Sequence, residues 1–132
     1  MKIFIGWDFR EEDAYKVCVH TIKKHASKDV EIVPLKRDEL IKQGLYTRDE
    51  GGNVSTEFAY TRFLTPHLAG YKGWALFIDC DFLFTRDVAE LFSLADPQYA
   101  VMCVQHDYTP SAAIKMDGQK QVAYPRKNWS SC

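Results

Sequence analysis

The sequence predicts an α/β fold, with a mostly parallel sheet covered by helices on both faces. Three observations carry that expectation. Short, continuous apolar runs such as Ile3-Phe4-Ile5 and the stretch 74–78 are the signature of strands buried on both sides. Between such runs lies an amphipathic segment in which Tyr15, Cys18, Val19, Ile22 and Ala26 form a single helical stripe. Turn and breaker residues, among them Gly44, Gly70 and Gly73, separate the segments.

The elements follow in order. Residues 2–7 read as the first strand. After a polar turn, 13–25 reads as a helix, with Glu11, Glu12 and Asp13 at its start and Lys23, Lys24 and His25 at its end, the arrangement a helix dipole favours. Residues 30–35 alternate apolar with other residues and read as a second strand. A short helix over 38–43 ends at Gly44. The polar loop 45–54 contains Gly51-Gly52-Asn53 and lacks periodicity. Ser55 is placed to cap a helix over 56–68, whose buried stripe is Tyr60, Phe63, Leu64, His67 and Leu68; Pro66 should kink it or end it early. A third strand, 74–78, runs into Asp79-Cys80-Asp81. A helix over 88–94 with Asp87 as its cap and a fourth strand over 100–104 complete the pattern, and little regular structure is expected beyond Gln105.

Composition bounds the function classes. Hydrophobic residues make up 46% and charged residues 27%, enough apolar material for a core. The formal net charge of -1 carries no basic excess, so nucleic acid is not an expected partner. The run 74–78 is too short to cross a bilayer, and acidic residues follow the first strand too soon for a signal peptide, so a cytoplasmic protein without a transmembrane segment is expected. The sequon Asn128-Trp129-Ser130 then has no role. None of Cys18, Cys80, Cys103 and Cys132 forms a C-x-x-C pair, which argues against zinc, and the first three sit in apolar surroundings as small hydrophobes. The chain stops abruptly after residues 125–132, with no element to close the domain. One incomplete domain over 1–132 is therefore expected, with self-association through the uncovered sheet edge.

The chemistry centres on Asp79 and Asp81. A buried strand delivers two carboxylates separated by one residue, and such groups need water, a cation or a helix end to face. Oxygen ligands on a short acidic turn suit Mg²⁺ or Mn²⁺. The plainer alternative is a solvated turn. In open parallel sheets ligands bind beyond the carboxyl ends of the strands, where Asp8 also lies. His20, His25 and His67 are expected as surface or packing residues on helices. Phe58, Tyr60 and Phe63 are expected in the core rather than as a sugar platform.

The segment 55–68, the strand 73–78 with Asp79-Cys80-Asp81, and the continuation Phe82-Leu83-Phe84 with Asp87-Val88-Ala89-Glu90-Leu91-Phe92 together resemble the GT-A glycosyltransferases, especially family 8 and its bacterial relatives. The start, Ile3-Phe4-Ile5-Gly6-Trp7-Asp8, is similar to the family's first strand and nucleotide-facing turn. The resemblance implies a Rossmann-like GT-A nucleotide-diphospho-sugar transferase fold lacking its C-terminal part. It also implies transfer of a sugar from a nucleotide-sugar donor, a UDP-sugar, to a glycan, lipid or protein acceptor, with Mn²⁺ or Mg²⁺ as cofactor. It implies Asp81 as the direct metal ligand, Asp79 contacting metal or ribose, Arg62 near the sugar or phosphates, Asp8 near uracil or ribose, and Gly6 allowing close approach of the base. For Arg62 the alternative is a surface ion pair, and for Asp8 a turn cap. The resemblance identifies no catalytic residue, and the third metal ligand the family takes from far downstream is missing. His106-Asp107 does not match that position. Two other functions compete: a phosphohydrolase with an aspartyl nucleophile in the D-x-D, and an inactive domain that binds a nucleotide or a partner chain.

Overall fold

The computed structural model describes residues 1–49, 54–104 and 113–114. The loop glycines Gly51 and Gly52 with Asn53, His106-Asp107, the sequon at 128–130, Cys132 and the chain end lie outside the described residues. The chain divides into two compact units, Met1–Ala95 and Asp96–Cys132.

The first unit is a parallel α/β layer structure. Its elements are β1 (Lys2–Gly6), a 3-10 turn (Phe9–Glu11), α1 (Glu12–His25), β2 (Glu31–Leu35), α2 (Arg37–Lys42), a second 3-10 turn (Thr61–Leu64), α3 (Thr65–Leu68), β3 (Ala75–Ile78) and α4 (Val88–Phe92). The strands form a three-stranded, all-parallel sheet in the order β2-β1-β3. β1 is central: Ile3 lies beside Ile32 on one side and Leu76 on the other, and Ile5 lies beside Pro34 and Ile78. A proline in the sheet is tolerated because β2 sits at the edge of the described sheet.

Successive side chains of a strand point to opposite faces. Ile3 and Ile5 therefore share one face of β1. They pack there with Cys18 and Ile22 of α1, Phe58, Ile78, Cys80 and Val88 to form the core. The predicted stripe of α1 is the face that carries Cys18 and Ile22 into this core, with Tyr15 and Val19 packed partly against it. Phe4, from the other face, is equally buried. α2 ends as expected, with Gly44 at φ 70° taking the left-handed conformation that closes the turn. Asp87 caps α4 by accepting from the Ala89 N–H at 2.9 Å, and its other oxygen accepts from the Ser27 N–H at 3.2 Å, tying the segment after α1 to the start of α4.

The structure departs from the sequence expectations in four places. The helix expected over 56–68 is not continuous: turns over 57–60 lead into the 3-10 turn Thr61–Leu64 and only then into α3. Pro66 causes part of this, because it has no N–H to give the Arg62 carbonyl, and it sits in the first turn of α3 where none is needed. Phe63, placed in the core by the helical stripe, is 66% exposed, because the 3-10 geometry rotates it outward, whereas Phe58 is buried. The fourth strand over 100–104 is absent. These residues are irregular and exposed, since an apolar run becomes a strand only with a partner to pair. Cys103 is exposed accordingly, while Cys18 and Cys80 are buried. In the second unit, Asp96 organises a turn by accepting from the Gln98 N–H at 2.9 Å on its side chain and from the Tyr99 N–H at 3.1 Å on its carbonyl.

Gly6 ends β1 because no side chain fits there. A Cβ at this position would lie 2.4 Å from both Cγ and Cδ2 of Phe58. The close approach that requires a glycine is thus made by Phe58. Gly6→Ala is expected to lower stability by about 1–3 kcal/mol, the usual cost of overpacking a core. Phe58→Ala, which removes the Cγ and Cδ2 atoms that clash, should cost less in the Gly6→Ala background than in the parent. Thermal melts of the single and double variants check this, and a Gly6→Ala melting temperature equal to the parent's would contradict it.

Candidate functional site at the carboxyl edge of the sheet

The chain leaves β1 toward β2 on one side and later returns to place β3 on the other. The order therefore switches between β1 and β3, and in open parallel sheets the crevice beyond such a switch point is where ligands sit. Asp8 follows β1 and Asp79-Cys80-Asp81 follows β3, so both acidic features found in the sequence belong to this edge.

Asp8 is buried, and its carboxylate is fully engaged. It accepts from the Arg10 backbone N–H at 2.9 Å, from Arg10 Nε at 2.9 Å, from Arg10 Nη2 at 2.6 Å and from the Glu57 N–H at 3.1 Å. Arg10 Nη2 also donates to the Ser55 carbonyl at 2.8 Å. The Arg10 guanidinium and the two backbone amides outweigh burial and hold the Asp8 pKa down at about 2. Four acceptances use the capacity of a carboxylate. Asp8 thus acts as a clamp joining the end of β1 to residues 55–57, which is the turn-cap alternative in a stronger form.

Asp79 behaves in the opposite way. Burial is the largest influence and pushes its pKa up to about 6; Arg62 lowers it, while Asp81 and Glu11 raise it further. Arg62 Nη2 lies 3.2 Å from Asp79 Oδ1, with the two side chains 14% and 23% exposed. Oδ1 nevertheless has no hydrogen bond, because the guanidinium is close but out of line for one, so the contact is one of charge. Arg62 is held by other means. Its Nε donates to the Phe58 carbonyl at 3.3 Å, and its guanidinium lies 5.5 Å from the Phe58 ring and 5.0 Å from the Phe77 ring. Arg62, expected near the sugar or phosphates or else in a surface ion pair, thus makes an ion pair with Asp79 that is largely buried. Asp81 is exposed, and among the described residues no hydrogen bond or ion pair engages its carboxylate.

Two contributors were not legible beforehand. Cys80, between the two aspartates, is buried and donates its thiol to Glu11 Oε2 at 2.9 Å, which fixes the turn so that Asp79 faces inward and Asp81 outward. Burial and the neighbouring Glu11 carboxylate push the Cys80 thiol far above its ordinary range. Glu11 stands in an acidic run that reads equally well as a helix start, so no sequence signal separates it from its neighbours. At the ends of β1 and β2, Lys36 Nζ lies 5.2 Å from the Trp7 ring. His67 is exposed and packs edge-on to Tyr71 at 5.9 Å.

Among the described residues, no group of three or more His, Cys, Asp and Glu stands together as a metal cage. Two shallow surface depressions lie around α4 and around residues 23–30, and neither includes Asp79 or Asp81. Among the described residues the carboxyl edge thus carries Asp79, Asp81 and Arg62 beside the Asp8–Arg10 clamp and Glu11. Among the described residues no helix is long and apolar enough to cross a membrane.

The chain is 58% identical to Protein CDI of Arabidopsis thaliana over 130 residues, covering 98% of this chain and 50% of that protein. It therefore spans about half the length of the curated relative it matches. No family model matches the chain, and no solved structure does. These findings correct the resemblance to GT-A glycosyltransferases of family 8. The strong match goes to Protein CDI, and no glycosyltransferase family is matched. The misleading signal has a physical origin: an apolar strand that ends in acidic residues at a ligand crevice is a general product of parallel sheets.

The two aspartates give opposite expectations. Asp8 has its folded pKa, about 2, below the unfolded 3.8, so its contribution is complete above pH 3.8 and is lost as pH falls through about 2. Asp8→Asn should cost about 1–2 kcal/mol at pH 7, after allowance for the half-exposed Arg10, and the difference from the parent should narrow below pH 4. Asp79 has its folded pKa, about 6, above the unfolded 3.8, so stability drawn from its protonated form is lost as pH rises between those values. Asp79→Asn should therefore stabilise the chain by about 1–3 kcal/mol at pH 7.5 and by almost nothing at pH 3.5. Urea denaturation across this pH range checks both, and an Asp79→Asn variant less stable than the parent at pH 7.5 would contradict the burial argument.

Proposed function

We propose that this chain is the donor-binding part of an enzyme that transfers a sugar from a nucleotide-diphosphate donor, a UDP-sugar, with a divalent cation held by Asp79 and Asp81. The observation that carries this reading is Asp79 itself: a carboxylate largely out of water, with one oxygen lacking a hydrogen bond, beside an exposed second carboxylate and a half-buried arginine. Ionised groups kept at such cost are concentrated at working sites.

The proposed donor set is two carboxylates, with no third His, Cys, Asp or Glu grouped with them among the described residues. Two carboxylates from the protein, with the remaining positions taken by water and phosphate oxygens, is the usual mode for Mg²⁺ at phosphate sites. When bound, such a cation supplies positive charge that a departing diphosphate requires. The residues of the chain have separate tasks. Asp81 presents an oxygen to solvent, Asp79 presents one from the wall of the crevice, and Glu11 with Cys80 keeps the turn between them in place. Arg62 offers a second positive group for phosphate oxygens, held over Phe58 and Phe77. Asp8, with its oxygens already committed, supports the shelf and leaves recognition of the base and ribose to other groups. The acceptor, whether glycan, lipid or protein, belongs to the reaction of the whole enzyme.

Calorimetric titration of UDP into the chain, with and without Mn²⁺, tests the proposal. Binding is expected with Mn²⁺ and not without it, and Asp81→Ala should weaken it at least about tenfold, equal to about 1.4 kcal/mol. Equal affinity in the Asp81→Ala variant, or equal binding without the metal, would overturn the reading.

A further inference from the structure

We infer that the leucine surface around α4 is the seat of a further segment of the same polypeptide, equivalent to a part of the half of Protein CDI that these residues do not match. Neither Asp79 nor Arg62 takes part in it, so this surface and the donor site stand or fall separately.

In the first unit, the large apolar side chains that reach solvent before Asp79 stand singly. Phe9, Val17, Ile41, Phe63 and Tyr71 come from different segments. Single exposed apolar residues are ordinary on a surface. Around α4 they gather. Leu83, Leu91 and Leu94 are 63%, 44% and 64% exposed, and all three line one shallow depression. Leu91 and Leu94 are three positions apart, and the Leu94 N–H donates to the Leu91 carbonyl at 3.1 Å, so the turn carries both to the same side. The inner side of α4 is committed elsewhere: Val88 is buried in the core and Phe92 packs partly against it. With five residues, α4 is too short to persist on its own propensity and depends on what packs against it.

The polar groups at the rim narrow the kind of partner. Arg86 Nη2 lies 2.7 Å from Glu90 Oε2, and Ser93 Oγ donates to the Glu90 carbonyl at 2.6 Å. Asp87 accepts from the Ala89 and Ser27 N–H groups. Arg86 is the one cation among the residues lining the depression, and it is paired. Nucleic acid and anionic lipid surfaces need unpaired cations, so neither suits this place. Apolar side chains of a polypeptide do.

Size decides between a second copy and a tethered segment. A stable dimer takes about 800 Å² from each partner, and three partly covered leucines fall well short of that. A segment of the same polypeptide needs far less, because its tether holds it near the surface at a roughly millimolar effective concentration. Protein CDI shares 50% of its length with this chain, so it carries about as much chain again from which such a segment can come.

Hydrogen exchange read by mass spectrometry, on the 132-residue chain and on whole Protein CDI, tests this. The amides matching residues 83–94 are expected to exchange at least about tenfold more slowly in Protein CDI than in this chain, while those matching α1 keep their rates. Glutamine at the Protein CDI positions matching Leu91 and Leu94 should remove that protection. In this chain, Leu91→Gln with Leu94→Gln should leave the melting temperature unchanged, and light scattering should find the parent's oligomeric state. Equal exchange over 83–94 in the two proteins overturns the inference. So does slowing that extends equally to α1, which marks a general gain in stability. A parent dimer that the double variant loses makes a second copy the occupant and overturns it as well. If the altered Protein CDI does not fold, the exchange comparison of the two unaltered proteins decides.

Discussion

The carboxyl edge of this sheet depends on one buried carboxylate. Asp8 gathers both backbone and side-chain donors of Arg10 together with the Glu57 N–H, a residue 49 positions away. An ionised group out of water is tolerable only with such a full set of partners. Its demand dictates where the chain runs after the loop that follows α2. Once Glu57 is fastened to Asp8, Phe58 is pressed against Gly6, and Arg62 arrives over Phe58 and Phe77 at the side of Asp79. The arginine at the shelf is thus positioned by a carboxylate that has no capacity left to bind anything itself.

The two main aspartates divide the work between them. Asp8 favours the fold and is closed to other partners; Asp79 is unfavourable to the fold and open to them. A site built from the second kind of residue needs a scaffold made from the first, and stability conceded at a working position is offset elsewhere in the same edge. Cys80 illustrates the economy of the arrangement. It fills core volume with Ile5, Ile78 and Val88, and through Glu11 it also sets the directions of the carboxylates on either side of it.

Much of the fold was legible because its signals are local. The apolar run of β1, the stripe of α1, Gly44 after α2 and the Asp87 cap each declare themselves within a few residues, and the structure has them where periodicity and turn chemistry put them. The segment 56–68 differs from its local signals because its conformation is decided from outside: Asp8 takes the Glu57 N–H, and Pro66 has none to give. Phe63 followed from that error, and the strand over 100–104 failed for want of a partner. In the candidate site, Arg62 and Asp79 were each singled out in the sequence, and the contact between them was not expected. Glu11 was hidden, since nothing in a run of acids marks the one that will meet a cysteine 69 positions later. Gly6 was singled out as a place where a nucleotide base comes close, whereas the group that packs against it is a phenylalanine of the same chain.

The central position of β1 has a consequence for how the molecule comes together. Lys2 aligns with Glu31 on one side and with Ala75 on the other. The first pairing closes through α1, a helix that forms locally and shortens the search. The second must enclose β2, α2, the loop and α3, and ordering so long a stretch before its contacts repay the loss makes parallel pairing slow. Asp79 rides on the end of that late strand. The crevice at the switch point therefore needs the more distant of the two pairings of β1, and it is complete only when β3 is in place.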